Sequence, residues 1–123
     1  INNYKSFWCV EKVKNAILQF ELNHHRKPVV AMMGLAFKPN IDDLRESPAK
    51  YIVSRVLQGC DNTRILVVEP NLKEHQVFKL TPCREAYEQA DIVAFLVAHD
   101  PFKTLPYDAN KVILDFCGIY KLK

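Results

Sequence analysis

Apolar positions along this 123-residue chain follow two periods, and the alternation between them divides it into elements. Val10, Val13, Ile17 and Phe20 share one helical face, with Glu11, Lys12, Lys14 and Asn15 between them, which predicts a helix from about Ser6 to Asn23. The run from Asn23 to Pro28 ends it, since proline cannot continue helical hydrogen bonding. Val29 to Met33 is continuously apolar, as expected of a strand buried on both faces of a parallel sheet. Ser47 is placed to cap a second helix, with Pro48 at its first position. Ile52, Val53, Val56 and Leu57 form that helix's buried face, and Gly59 stops it. Ile65 to Val68 reads as a second strand, and Thr81-Pro82 opens a short helix ending near Ala90. Ile92 to Val97 is a third strand, joined by a short linker to a fourth at Val112 to Leu114.

This order predicts an α/β fold: a Rossmann-like, doubly wound, mostly parallel sheet with a leading N-terminal helix. Ligands of such sheets gather at the carboxyl ends of the strands, near the switch in strand order. Four loops fit that description: Gly34 to Glu46, Glu69 to Leu80, Ala98 to Tyr107, and Asp115 to Tyr120.

Composition narrows the function. Apolar residues make up 49% and charged residues 25%, ordinary for a globular domain. No apolar run approaches the roughly 20 residues of a membrane span. The net charge of +3 comes from scattered lysines and arginines, which argues against a nucleic-acid partner. Cys9, Cys60, Cys83 and Cys117 form no C-x-x-C pair, so neither a zinc site nor a disulfide framework is expected, and reduced thiols point to the cytoplasm.

A dinucleotide fingerprint, G-x-G-x-x-G, is absent after the first strand; only Gly34 is present, and the loop is too long for the motif. Glu69 stands where a ribose-binding acid would, yet an acid at a strand end is common by chance. The Gly34 to Ser47 loop has its own chemistry. Lys38, beside Phe37, can offer a point charge to a phosphate alongside backbone N–H groups. Asp42, Asp43 and Arg45 read as a salt-bridge and turn network closing the loop. His99, at the end of the third strand, reads first as a surface histidine and second as a polar ligand contact.

The run from Gly34 to Ala49 resembles the opening of the C-terminal, UDP-binding domain of the UDP-glucose/GDP-mannose dehydrogenase family. The wording from Asn40 to Ala49 is closest to UDP-N-acetyl-D-mannosamine dehydrogenases. Val67 to Asn71, Ala90 to Val93 and Leu96 to His99 are similar to the same branch, and the resemblance extends from Asn2-Asn3 to Gly118. It implies a division of the chain into residues 1–27, a lead-in helix from a missing central domain, and residues 28–123, the UDP-sugar-binding domain.

The resemblance also implies an activity. Such enzymes oxidise the sugar C6 alcohol to a carboxylate in two NAD-dependent hydride transfers, supplying polysaccharide precursors. A cysteine of the central domain is the nucleophile, and an N-terminal Rossmann domain holds the NAD. On that reading no residue here is catalytic, no metal is bound, and no cofactor is expected within these 123 residues. Phe37 and Lys38 match residues that contact the UDP-sugar. Asn40, Arg45 and His99 are candidates for substrate contact or for shaping the loop. Cys117 falls where the family often has a basic residue after the last strand, which puts one substrate contact in doubt. The implied partners are a UDP-sugar, the N-terminal and central domains, and a second subunit, since the family is commonly dimeric or larger. The competing expectation is a stand-alone Rossmann-like regulatory or oligomerisation module without catalysis.

Overall fold

The computed structural model describes residues 3–36, 40, 44, 47–60 and 62–121. Helix α1 (Asn3–His24) leads into strand β1 (Val29–Met33), helix α2 (Pro48–Gly59), strand β2 (Arg64–Val68) and helix α3 (Cys83–Gln89). Strand β3 (Ile92–Phe95), a single helical turn α4 (Asp100–Lys103), strand β4 (Val112–Asp115) and a 3₁₀ turn (Ile119–Lys121) complete the chain. The four strands form one parallel sheet in the order β2-β1-β3-β4.

Alternation along the strands builds two cores, one on each face. Val30, Met32, Val67, Ile92 and Ala94 point to the side covered by α1 and α2. Ala31, Met33, Leu66, Val68, Val93 and Phe95 point to the side covered by α3, α4 and the 3₁₀ turn. That explains the unbroken apolar runs of β1 and β3, which face packed helices on both sides. Helix α1 sets Cys9, Val10, Val13, Ile17 and Phe20 into the first core, and each such side chain contributes about 1.5–3 kcal/mol when fully buried. Its outer face leaves Phe7, Trp8, Leu18 and Leu22 exposed, with Trp8 edge-on to Phe116.

Helix α1 ends at His25, whose φ of 57° is left-handed and whose N–H returns to the Glu21 carbonyl at 2.9 Å. Arg26 then forks onto Asp91 at 3.0 and 3.1 Å, and Asp91 accepts the Val29 N–H at 2.9 Å. This ties the end of α1 to the start of β1 and β3. Burial pushes the Asp91 carboxyl up, but the Arg26 and Val29 hydrogen bonds outweigh it and hold it below its ordinary range.

The structure departs from the sequence expectation at the end of β3 and in the linker after it. Strand β3 stops at Phe95, two residues short, because the Leu96 and Val97 N–H groups both converge on the Met33 carbonyl, at 2.9 and 3.4 Å, and the chain bends over Gly34. The linker after it contains α4, four residues long and too short to leave a helical period. Phe102 and Leu105 nevertheless sink into the second core.

Candidate functional site

The order β2-β1-β3-β4 places the switch point between β1 and β3, where the chain leaves in opposite directions. Gly34 opens the crest there. Its φ is 109°, and a Cβ on it would lie 2.8 Å from the Val97 Cβ, so both conformation and space require glycine.

Beyond Gly34 a polar ring built on the buried Glu69 and His99 gathers the strand ends. Glu69, which follows β2 and is 2% exposed, accepts five hydrogen bonds. Oε1 takes the Leu35 N–H at 2.8 Å, the Ala36 N–H at 3.1 Å and His99 Nε2 at 2.9 Å. Oε2 takes the Asn71 N–H at 3.0 Å and Asn71 Nδ2 at 3.2 Å. His99, after β3, is fully buried; its Nδ1 accepts the Asn40 N–H at 2.8 Å and Asn71 Nδ2 at 3.2 Å. Because a backbone N–H can only donate, Nδ1 is the acceptor and Nε2 carries the proton given to Glu69. Burial pushes the Glu69 carboxyl up, but the bonds from His99, Leu35 and Asn71 outweigh it and hold the group below its ordinary value.

His99 is therefore not a surface histidine. Glu69 gave no sequence signal beyond its place at a strand end. Only the pairing of β1 with both β2 and β3 brings it to His99 and the Leu35 amide. Asn40 lies within the long loop at a left-handed φ of 63°, and its Oδ1 accepts the Asp100 N–H at 2.9 Å, capping α4. Ser47 closes the loop: its hydroxyl donates to the Leu35 carbonyl at 2.6 Å and accepts the Lys50 N–H at 3.2 Å, the cap of α2. Phe37, Lys38, Asp42, Asp43 and Arg45 lie outside the described residues.

At the end of β4, Asp115 accepts the Ile119 N–H at 2.8 Å and the Tyr120 N–H at 3.2 Å. Burial, with the Asp115 carboxylate beside it, pushes the Cys117 thiol up to about 12, so this sulfur is a protonated, unreactive group. Ala36, Pro48, Ala49, Leu96, Val97, Ala98 and Cys117 line a cleft of about 190 Å³ at the switch point. It shares Pro48, Ala49 and Leu96 with a hollow of about 270 Å³ that reaches Lys5, Cys9 and Phe116, so one groove crosses the N-terminus of α2. That end carries the positive pole of the helix dipole. Larger hollows, about 420 and 360 Å³, border the residues preceding β2 and β4, at the opposite edge of the sheet.

A dinucleotide does not fit this crest. The turn after β1 lacks the second and third glycines, and the Glu69 carboxylate, already holding five donors, has no lone pair free for a ribose. Among the described residues no cluster of three or more His, Cys, Asp or Glu could hold a metal ion, and no disulfide joins any of Cys9, Cys60, Cys83 and Cys117. No described helix is long and apolar enough to cross a membrane.

A parallel sheet with this strand order, and a groove at its switch point, defines a Rossmann-like ligand-binding domain. The chain belongs to the UDP-glucose/GDP-mannose dehydrogenase family, matching its UDP binding domain over residues 31–122. It is 39% identical, over its whole length, to an NDP-N-acetyl-D-galactosaminuronic acid dehydrogenase of Ralstonia nicotianae, covering 29% of that protein. It is 40% identical over 95% of its length to a UDP-N-acetyl-D-mannosamine dehydrogenase of Campylobacter jejuni, covering 28% of it. The fold is shared with a UDP-N-acetyl-mannosamine dehydrogenase from Staphylococcus aureus, at a TM-score of 0.70 and 20% identity over 99% of this chain and 32% of that one. The chain thus spans about three-tenths of the length of the curated relatives it matches.

Proposed function

We propose that the groove at the β1/β3 switch point receives the UDP half of a nucleotide sugar, within an NAD-dependent dehydrogenase that oxidises the sugar C6 alcohol to a carboxylate. The observation that carries this is the position of the groove: it opens at the carboxyl ends of β1, β3 and β4 and across the positive end of α2. The loop bordering it begins at Gly34 and contains Phe37 and Lys38, the residues proposed to contact the ligand, with lysine facing the phosphates. The sugar is proposed to be a 2-acetamido hexose, in keeping with the N-acetylated sugars named for the relatives in Ralstonia and Campylobacter.

On this reading the hydride transfers, the NAD and the nucleophilic cysteine belong to other domains. Residues 1–27 would lead in from a central domain, and residues 28–123 would anchor the nucleotide so that remote binding energy orients the reacting carbon. The outer apolar face of α1 would be covered in the assembled, cytoplasmic enzyme. A stand-alone regulatory module is the poorer reading, because the matched relatives are dehydrogenases.

Calorimetry of this chain with UDP, a UDP-N-acetylhexosamine and NAD tests the proposal. UDP and its sugar are expected to bind, and NAD is not. Lys38→Ala is expected to weaken UDP by about 10- to 100-fold, the loss of one charge-assisted contact of roughly 1.5–3 kcal/mol. Heat from NAD with none from UDP would sink the reading.

A further inference from the structure

We propose that the ring of Glu69, His99 and Asn71 is the positioning device that fixes the backbone at Leu35, Ala36 and Asn40, beside the ligand groove. Neither Glu69 nor His99 acts as a ligand contact in this role. The proposal rests on the nucleotide reading above. Glu69 and His99 are 2% and 0% exposed, too enclosed to touch a ligand. Together they bind the backbone of the loop at Leu35, Ala36 and Asn40. Ala36 and Asn40, the two anchored residues, flank the proposed ligand contacts Phe37 and Lys38 in sequence.

The donor count explains the choice of residues. Five donors converge on residue 69, and only a carboxylate accepts them all. Position 99 must offer a donor toward Glu69 and an acceptor toward Asn40, which one neutral imidazole does. Asn71 Nδ2 closes the ring by donating to both. A fold that needed only filled volume here would gain as much from an apolar cluster, without desolvating a charge.

Two conservative variants separate positioning from bulk stability. In His99→Asn the side-chain oxygen occupies the place of Nδ1 and keeps the Asn40 anchor while losing Glu69. In His99→Gln the amide nitrogen reaches the place of Nε2, keeping Glu69 and losing the anchor. Both are expected to melt below the wild type by similar amounts. UDP affinity is expected to stay within about threefold in His99→Asn and to fall about tenfold in His99→Gln, roughly one hydrogen bond's worth of loop order. Equal UDP affinity in the two variants overturns the proposal.

Amide hydrogen exchange at Asn40 in the free protein supplies a readout without ligand. Protection is expected in the wild type and His99→Asn and its loss in His99→Gln; unchanged protection in all three overturns the anchoring. A wild type that ignores UDP overturns the nucleotide reading, and the exchange pattern then decides the ring by itself. If both His99 variants unfold, Asn71→Ala opens the ring at an exposed residue. UDP binding about tenfold weaker together with lost Asn40 protection in a folded Asn71→Ala protein supports the proposal, and either one left unchanged refutes it.

Discussion

Replacing Gly34 by alanine tests whether the crest is built on a backbone that only glycine can adopt. At φ 109° a side chain is strained whatever space it finds, at about 1–3 kcal/mol. The added Cβ would also meet Val97 Cβ at 2.8 Å, Val97 Cγ2 at 2.9 Å and the Val97 nitrogen at 3.1 Å. These are rigid neighbours on the segment leaving β3, and overpacking of that kind adds about 1–3 kcal/mol. Together about 4 kcal/mol is expected, and at about 2.1 cal/mol/K per residue of unfolding entropy this lowers Tm by about 15 °C. Thermal melts followed by circular dichroism read it directly. Gly118→Ala shares the left-handed strain, at φ 75°, but meets nothing within 4 Å, and should lower Tm by only about 4–8 °C. Gly59→Ala, at the end of α2, meets only the flexible tip of Lys14 and should be neutral or stabilising by about 0.5–1 kcal/mol. A Gly34→Ala protein melting within about 3 °C of the wild type would refute the account of the crest.

Other outcomes follow from the same contacts. The Glu69 carboxyl is held below its ordinary value, so its contribution is complete above the unfolded value of 4.5 and is lost as pH falls through the lower folded one. Urea unfolding from pH 7 to pH 3 should therefore show Glu69→Gln weaker by about 3 kcal/mol at neutral pH, with a shallower acid limb than the wild type; parallel curves would contradict this. Ser47→Ala removes a helix cap and strands the Leu35 carbonyl, which should cost about 2 kcal/mol, about 8 °C in Tm. A shift under about 2 °C would show that the loop closure does not depend on this hydroxyl.

The sheet was legible in the sequence because its signals are local. Val29 to Met33 and Ile92 to Val97 announce strands, the second of which ends two residues early, and Ser47-Pro48 announces the start of α2, as observed. Helix α1 extends three residues before the expected start at Ser6, a boundary set by backbone bonding rather than by apolar spacing. The crest was less legible, since its bonds join residues far apart in the chain. Leu35 to Glu69, Asn40 to His99 and His99 to Glu69 each need strand order before they can be read. A histidine two residues past an apolar strand carries no mark of burial, so His99 read as a surface residue until Asn40 and Glu69 surrounded it. Lys38 beside Phe37 already offers a phosphate-binding charge in a long loop, and the family resemblance points to the same two residues.

The central position of β1 shapes how the chain reaches this fold. It is the first strand of this sheet along the chain, yet it pairs on both edges, with β2 through Val30 to Ile65 and with β3 through Val30 to Ile92. The second pairing must wait until two helices and another strand have been synthesised. Parallel pairing over such a distance closes large loops and is slow, and an apolar strand with an open edge is the segment most prone to pair with another chain meanwhile. Val29 to Met33 is therefore where aggregation would begin if synthesis outpaces folding, and slower expression at lower temperature should favour the soluble protein. The strand at the heart of the native sheet is its greatest liability before that sheet is complete.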